Sequence, residues 1–197
     1  MAVTPDFKAA TWERMIMAVE KVRERLDRAV AALEAAGIPH AVVGGNAVAN
    51  WVATVDPEAV RNTRDVDILV RRSDFPAVRT ALESAGFVYA NVMDVDAFLD
   101  GPDGKPSGGI HLLFAGEKVR VEHTVPSPDL SETVRITNFP VVPLESLVLM
   151  KLVSNRRKDQ VHLLDMARIG LIDETWPARF PPELAERLRA LLADPDG

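Results

Sequence analysis

The stretch Arg61-Asn62-Thr63-Arg64-Asp65-Val66-Asp67-Ile68-Leu69-Val70 decides how the rest of the chain is read. Its second half is an apolar, strand-forming run, and Asp65 and Asp67 stand two apart at its head. Residues two apart in a strand share a face, separated by about 6.5 Å along the chain. The two carboxylates are therefore expected side by side, with Val66 and Ile68 turned into the core. Aspartate is a poor strand residue, and two like charges on one strand raise each other's pKa and cost stability unless a cation compensates. Carboxylates that meet phosphate oxygens suit Mg²⁺, which takes few protein ligands. A plainer reading stays open, in which Asp65 lies at the strand edge and pairs with Arg64 or Arg61.

Before this strand, His40-Ala41-Val42-Val43 is a second short apolar strand, closed by Gly44-Gly45. Asn46, a favoured N-cap, is expected to open a helix through Ala53. Glycines let the backbone turn sharply and leave no side chain between its amides and a ligand. The amides and dipole at the start of the following helix favour an anion. The functional reading is a phosphate site; a simple tight turn is the alternative. Further back, Trp12, Met15, Val19, Val22, Leu26, Val30 and Leu33 recur at three- and four-residue steps. This predicts an amphipathic helix from about Thr11 to Ala36, ended by Gly37 and Pro39.

After the acid strand, Ser73 is expected to cap a helix that runs to Ala85 and stops at Gly86, and Phe87 to Val92 reads as a strand. Residues 100–109 carry every turn signal. Ile110 to Ala115 and Val119 to His123, divided by Gly116-Glu117, read as a hairpin. From Leu144 the pattern turns helical, with Leu147, Met150, Leu152, Leu163, Leu164 and Met166 as core positions. A proline-rich break at Pro177 to Pro182 precedes a last helix, Glu183 to Leu192. The order of elements predicts an α+β fold, a mixed sheet flanked by helices. Residues 1–143 form its core and 144–197 a helical C-terminal segment packed on it.

Composition narrows the chemistry. With 197 residues, 47% of them hydrophobic, the chain suits one compact domain with a real core. A net charge of −6 lacks the global basicity of a non-specific nucleic-acid binder. The absence of cysteine excludes disulfides, thiolate metal sites and cysteine nucleophiles, and fits a reducing compartment. The opening Met1-Ala2-Val3-Thr4-Pro5-Asp6 has no signal-peptide layout, and no apolar run approaches the roughly 20 residues of a membrane span. A cytoplasmic location with no membrane contact is expected.

Taken together, the Gly-Gly turn at a helix start, one helix, and then Arg-x-Thr-x-Asp-x-Asp at the next strand resemble the nucleotidyltransferase superfamily that includes DNA polymerase β. The likeness runs closest to its minimal bacterial branch and to the abortive-infection (AbiEii-type) toxin nucleotidyltransferases, and covers roughly Gly37 to Ile172. The resemblance implies a nucleotidyltransferase-type sheet, with Gly44, Gly45 and Asn46 cradling a triphosphate. It gives Asp65 and Asp67 two magnesium ions, with Mn²⁺ as a possible substitute, and sets Arg61 and Thr63 on the approach to the acid strand. Lys151, Arg156, Lys158, Asp159 and Asp165 look like that branch's Lys…Arg-x-Lys-Asp…Asp helices. Lys151 and Arg156 would then add charge beside the triphosphate; an ordinary solvated helix face is the alternative.

In that family a hydroxyl attacks the α-phosphorus of an NTP in line and pyrophosphate leaves, with two metals about 3.5–4 Å apart stabilising the entering and departing oxygens. Active members usually carry a third carboxylate on a neighbouring strand, where this chain has His111. If Gly116-Glu117 is a two-residue hairpin turn, His111 faces Glu122 across about 4.5–5.5 Å. Glu122 would then supply the acid or orient His111 as a base; a surface His–Glu pair is the alternative. His40, His123 and His162 have no metal spacing and read as structural. Two functions follow as expectations. One is transfer of a nucleoside monophosphate from an NTP to a hydroxyl of a small molecule, a protein or an RNA end. The other is a catalytically degenerate relative that binds nucleotide, a protein partner or its own copy, compatible with a toxin–antitoxin or phage-defence system.

Overall fold

The computed structural model describes residues 7–92 and 94–194. Six helices and seven strands appear among them, arranged as a mixed sheet flanked by helices with a helical C-terminal segment. The fold class is the one expected. The apolar stripe makes α1 (Phe7–Ala35), whose later turns bury Leu26, Ala29, Val30 and Leu33. Burying such a leucine contributes about 1.5–3 kcal/mol relative to leaving it exposed. The earlier turns leave Trp12, Met15, Ile16 and Val19 exposed. Gly37, at φ +65°, ends this helix in the left-handed conformation that glycine adopts without a Cβ penalty.

The centre of the sheet holds the two short sequences that frame the site. β1 (His40–Val43) is fully buried and lies antiparallel to β2 (Val66–Val70), with Val43 opposite Asp67. Between them runs α2 (Gly44–Ala53), which packs on both strands. It starts at Gly44, directly off the strand, and no side chain caps it. Asn46 is therefore not the N-cap. It sits inside the first turn and donates its side-chain amide to the Asp65 carbonyl at 2.8 Å. The acid strand likewise begins at Val66, one residue later than its pattern promised, because the Asp65 carbonyl is taken by Asn46 instead of by a neighbouring strand.

After β2 a 3-10 turn at Arg72–Asp74 leads into α3 (Phe75–Ser84). Ser73 falls inside that turn and bonds Asp74, so it caps nothing. The strand read at Phe87 to Val92 is β3 (Val88–Val92). An antiparallel partner missed in the sequence, β4 (Val95–Leu99), follows it. β4 then pairs with β5 (Ile110–Phe114), and β5 lies parallel to β2, setting His111 against Asp67 on one side and Ala97 on the other.

Both edges of β5 are thus occupied, and the hairpin predicted after it does not form. Residues 119–123 are not a strand. Gly116 donates its amide to the Ser127 carbonyl and Ser127 returns its own to Glu117, closing a loop. Glu122 lies exposed on that loop, and nothing places it opposite His111.

Two short strands complete the order β3-β4-β5-β2-β1-β7-β6: β6 (Val134–Arg135), and β7 (Pro140–Val141) parallel to β1. The C-terminal helices α4 (Leu144–Ser154), α5 (Arg157–Arg168) and α6 (Pro182–Ala193) pack on one another, and the first two also meet α2. Leu147, Leu152, Leu163 and Met166 are buried as expected. Asn155, left-handed at φ +46°, turns the chain between α4 and α5. Among the described residues no helix is long and apolar enough to cross a membrane.

Candidate active site

A cleft of about 790 Å³ opens between the sheet and the α4–α5 pair. Its floor carries Gly44, Asp67 and His111, and its helical wall carries Lys151, Arg156 and Asp159. The turn and the acid are in direct contact. Gly44 stands at φ +67°, and a Cβ built there would fall 1.9 Å from Asp67 Oδ2. Only glycine leaves room for this carboxylate against the start of α2, the helix end whose dipole favours anions. Gly45 is pressed the same way against Thr63, whose Cβ and Oγ1 would both be 2.8 Å from an added Cβ.

The other oxygen of Asp67, Oδ1, is 3.4 Å from His111 Nδ1. The far side of that ring bonds the Pro106 carbonyl through Nε2 at 3.0 Å. A carbonyl only accepts, so Nε2 carries a proton. The Asp67 contact raises the His111 pKa; partial burial opposes the rise, and the negative charges of Asp67 and Asp65 support it. Asp65, half-buried at the strand head, thus acts on the same imidazole as Asp67.

On the helical wall, Asp159 is wholly buried. It accepts Lys151 Nζ at 3.0 Å, Arg156 Nε at 2.7 Å and the Arg156 backbone amide at 3.3 Å. Burial alone would raise its pKa, but these donors and charges hold it well below the usual carboxylate range. Lys151, itself buried, has its pKa lowered by desolvation against the pull of Asp159 and of Asp67. Arg156 is half-exposed and reaches the cleft. The wall therefore presents fixed positive charge opposite the acid strand.

The sequence-predicted residues divide accordingly. Gly44, Asp67, His111, Lys151 and Arg156 come together at the cleft, with Asp65 beside them. Asn46 and Thr63 stand behind the turn as its supports. Arg61 points elsewhere: its guanidinium forms a two-pronged pair with Asp165 of α5, and it lines a separate hollow beside α1. Glu122 stays on its exposed loop. Sequence reasoning missed the opposite wall, where Arg72 lies over the Phe114 ring and binds Glu117 and Asp96. Nothing local marked it, because Asp96 belongs to the unrecognised strand β4. It also missed His123, which lines the cleft as well.

A family model described as an uncharacterised nucleotidyltransferase matches residues 7–152. The chain belongs to this family. No curated protein matches it. Among solved structures it is similar to the antibiotic-resistance factor ANT(2″)-Ia in solution, at 13% identity and TM-score 0.50, over 90% of this chain and 93% of that one. It is also similar to crystalline ANT(2″)-Ia in complex with adenylyl-2″-tobramycin, at 12% identity and TM-score 0.50, over 89% and 98%. A third is an antigenic nucleotidyltransferase-like protein from Paracoccidioides brasiliensis, at 17% identity and TM-score 0.52, over 91% and 90%. At these identities the likeness is one of fold.

Nucleotidyltransferases imply a divalent ion, and the donors here can be weighed for it. Among the described residues no three His, Asp or Glu side chains form a closed metal cage. Two aspartates and an open cleft instead suit an ion that shares its remaining positions with phosphate and water. The residues fit such an ion only with a polyphosphate present.

Proposed function

We propose that this nucleotidyltransferase moves a nucleoside monophosphate from an NTP to an acceptor hydroxyl, with Asp65 and Asp67 holding the divalent ions. One observation carries the proposal: the Asp67 carboxylate rests against the Gly44 backbone, on the floor of a cleft walled by Lys151 and Arg156. An anion-binding helix start and an acid for cations are thereby in contact, which is what a metal–triphosphate complex requires.

In this reading the amides of Gly44 and Gly45 receive triphosphate oxygens. Lys151 and Arg156, fixed by Asp159, offset the charge on the departing pyrophosphate. The acceptor oxygen bonds the α-phosphorus, the bond to the β-phosphate oxygen breaks, and the hydroxyl proton leaves to water in the open cleft. The bound ions would neutralise charge on the entering and leaving oxygens. The binding energy lies in positioning and preorganised charge. His111 stands where the family's third carboxylate is expected. Arg61 has no role at the triphosphate here, since its charge is committed to Asp165. The sequence pattern Lys151, Arg156, Lys158, Asp159 and Asp165 resembles the helices of the abortive-infection branch and is the ground for proposing a place near it.

Purified protein incubated with each labelled NTP, Mg²⁺ or Mn²⁺ and cell lysate is expected to label an acceptor. The Asp65→Asn/Asp67→Asn double variant is expected not to. The replacement of an acid by His111 favours a second reading, a relative that binds nucleotide without turning it over. Metal-dependent NTP binding with no transfer under any condition would select it. No binding at all would sink both.

A further inference from the structure

We propose that His111 is a metal ligand. With Asp67 it makes a mixed imidazole–carboxylate site that takes a first-row transition ion such as Mn²⁺ in preference to Mg²⁺. The inference rests on the nucleotidyltransferase reading of Asp65 and Asp67 and names the ion that reading leaves open.

The ring is already oriented as a ligand. Its Nε2–H is spent on the Pro106 carbonyl at 3.0 Å. In the neutral ring this leaves the lone pair on Nδ1, the nitrogen that faces Asp67. Metal-binding histidines characteristically donate their second ring N–H to a carboxylate or a backbone carbonyl, which fixes tautomer and direction. The spacing agrees too. Two donors each about 2.1 Å from a common ion stand about 3.0–3.4 Å apart, depending on the coordination angle. Asp67 Oδ1 and His111 Nδ1 are 3.4 Å apart, long for a hydrogen bond and right for two ligands of one ion.

The pair cannot easily drift from this arrangement. The parallel pairing of β2 and β5 sets residues 67 and 111 opposite one another. Gly44 confines Asp67 from its other oxygen. Across β5 the strand neighbour of His111 is Ala97, which offers no side-chain donor, and Glu122 lies out on its loop. The donor chemistry then selects the ion. An all-oxygen set suits Mg²⁺, whereas an imidazole nitrogen shifts the preference from Mg²⁺ towards first-row transition ions. Of these, Mn²⁺ is the one that also accepts carboxylate and phosphate oxygens.

The test is Mn²⁺ titration followed by electron paramagnetic resonance, with inorganic tripolyphosphate replacing nucleotide so that no base nitrogen contributes. The wild-type Mn²⁺ complex is expected to show nitrogen modulation of the electron spin echo, absent in His111→Asp. That variant keeps His123, the other imidazole in the cleft, so the loss identifies His111. Displacement of Mn²⁺ is expected to need much more Mg²⁺ in wild type than in His111→Asp, by about tenfold or more. A wild-type complex without nitrogen modulation overturns the inference, as does an unchanged preference between the two ions in His111→Asp. Binding that needs Asp67 but shows no nitrogen overturns only the role of His111. Failure of both ions to bind with polyphosphate removes the acid-pair reading and this inference together.

Discussion

Gly44 has no room for a methyl group. A Cβ there would overlap Asp67 Oδ2, and the residue's φ of +67° is itself costly for any L side chain. Gly44→Ala is therefore expected to lose about 1–2 kcal/mol from the backbone alone, read by urea denaturation. Nucleotide transfer should be lost altogether, since the acid must move off the turn. Gly45→Ala meets only the Thr63 side chain and has no positive φ. It should retain measurable transfer; equal loss in the two variants would mean that contact with Asp67 is not what matters. A second single residue controls pH behaviour. His162 on α5 has a buried, unpartnered Nδ1. Burial first, and the nearby Lys151 charge second, push its pKa down to about 4. Its unfolded value is about 6.5, so between these limits the unfolded chain binds the extra proton. Its stabilising contribution is complete above about pH 6.5 and disappears as pH falls towards 4. Over that window wild type should lose roughly 2–3 kcal/mol more than His162→Gln. His40 and His123 lean the same way and His111 the opposite way, but all three are common to both proteins. Parallel stability curves for the two would refute the assignment.

At the scale of elements, the α4–α5 pair is fastened by Asp159, which accepts from a buried lysine and from the arginine that opens α5. Asp159→Ala would leave Lys151 charged, buried and unpaired. Removing one partner of such a pair costs about 3–5 kcal/mol, and equilibrium denaturation should find a loss of that order. A loss below about 1 kcal/mol would mean that water reaches Lys151 and that the clamp is not structural. The elements also explain which parts could be read from sequence. β1, its glycine turn and β2 were legible because their signals are local: an apolar run, two glycines, acids two apart. β4 was not, since Asp96 interrupts its run and the turn before it uses a left-handed Asp94 without a glycine. β6 and β7, two residues each, have no pattern to find. The hairpin after β5 had a good turn sequence and failed for a non-local reason, because β2 and β4 had already taken both edges. The Arg61 pairing was likewise out of reach of local signals: its partner, Asp165, lies on α5, far along the chain. The cleft's acid, histidine and lysine could be named in advance, but the contact between Asp67 and His111 depends on a parallel pairing that no local signal announces.

The whole molecule sets charge against charge. The chain carries a net charge of −6, yet the helical wall of its main cleft presents Lys151 and Arg156 towards Asp67. A bare polyphosphate is repelled by the acids and attracted by the wall; a divalent ion between them turns both contributions favourable. Nucleotide and metal should therefore bind with strong mutual dependence, each raising the other's affinity by the same factor. The contacts join the central strands to α4 and α5, so binding should stabilise the fold as a unit. At a ligand concentration about 100 times its Kd the gain is about 2.7 kcal/mol. For a chain of this length, that raises Tm by about 5–10 °C. Thermal unfolding with ATP and Mn²⁺ together should show this shift, with either alone giving a small part of it. Asp67→Asn should abolish the shift by removing the ion's ligand, and Arg156→Ala should reduce it and weaken its dependence on salt, since Arg156 is the half-exposed cation. A full shift with ATP alone would mean that nucleotide binds away from the acid strand.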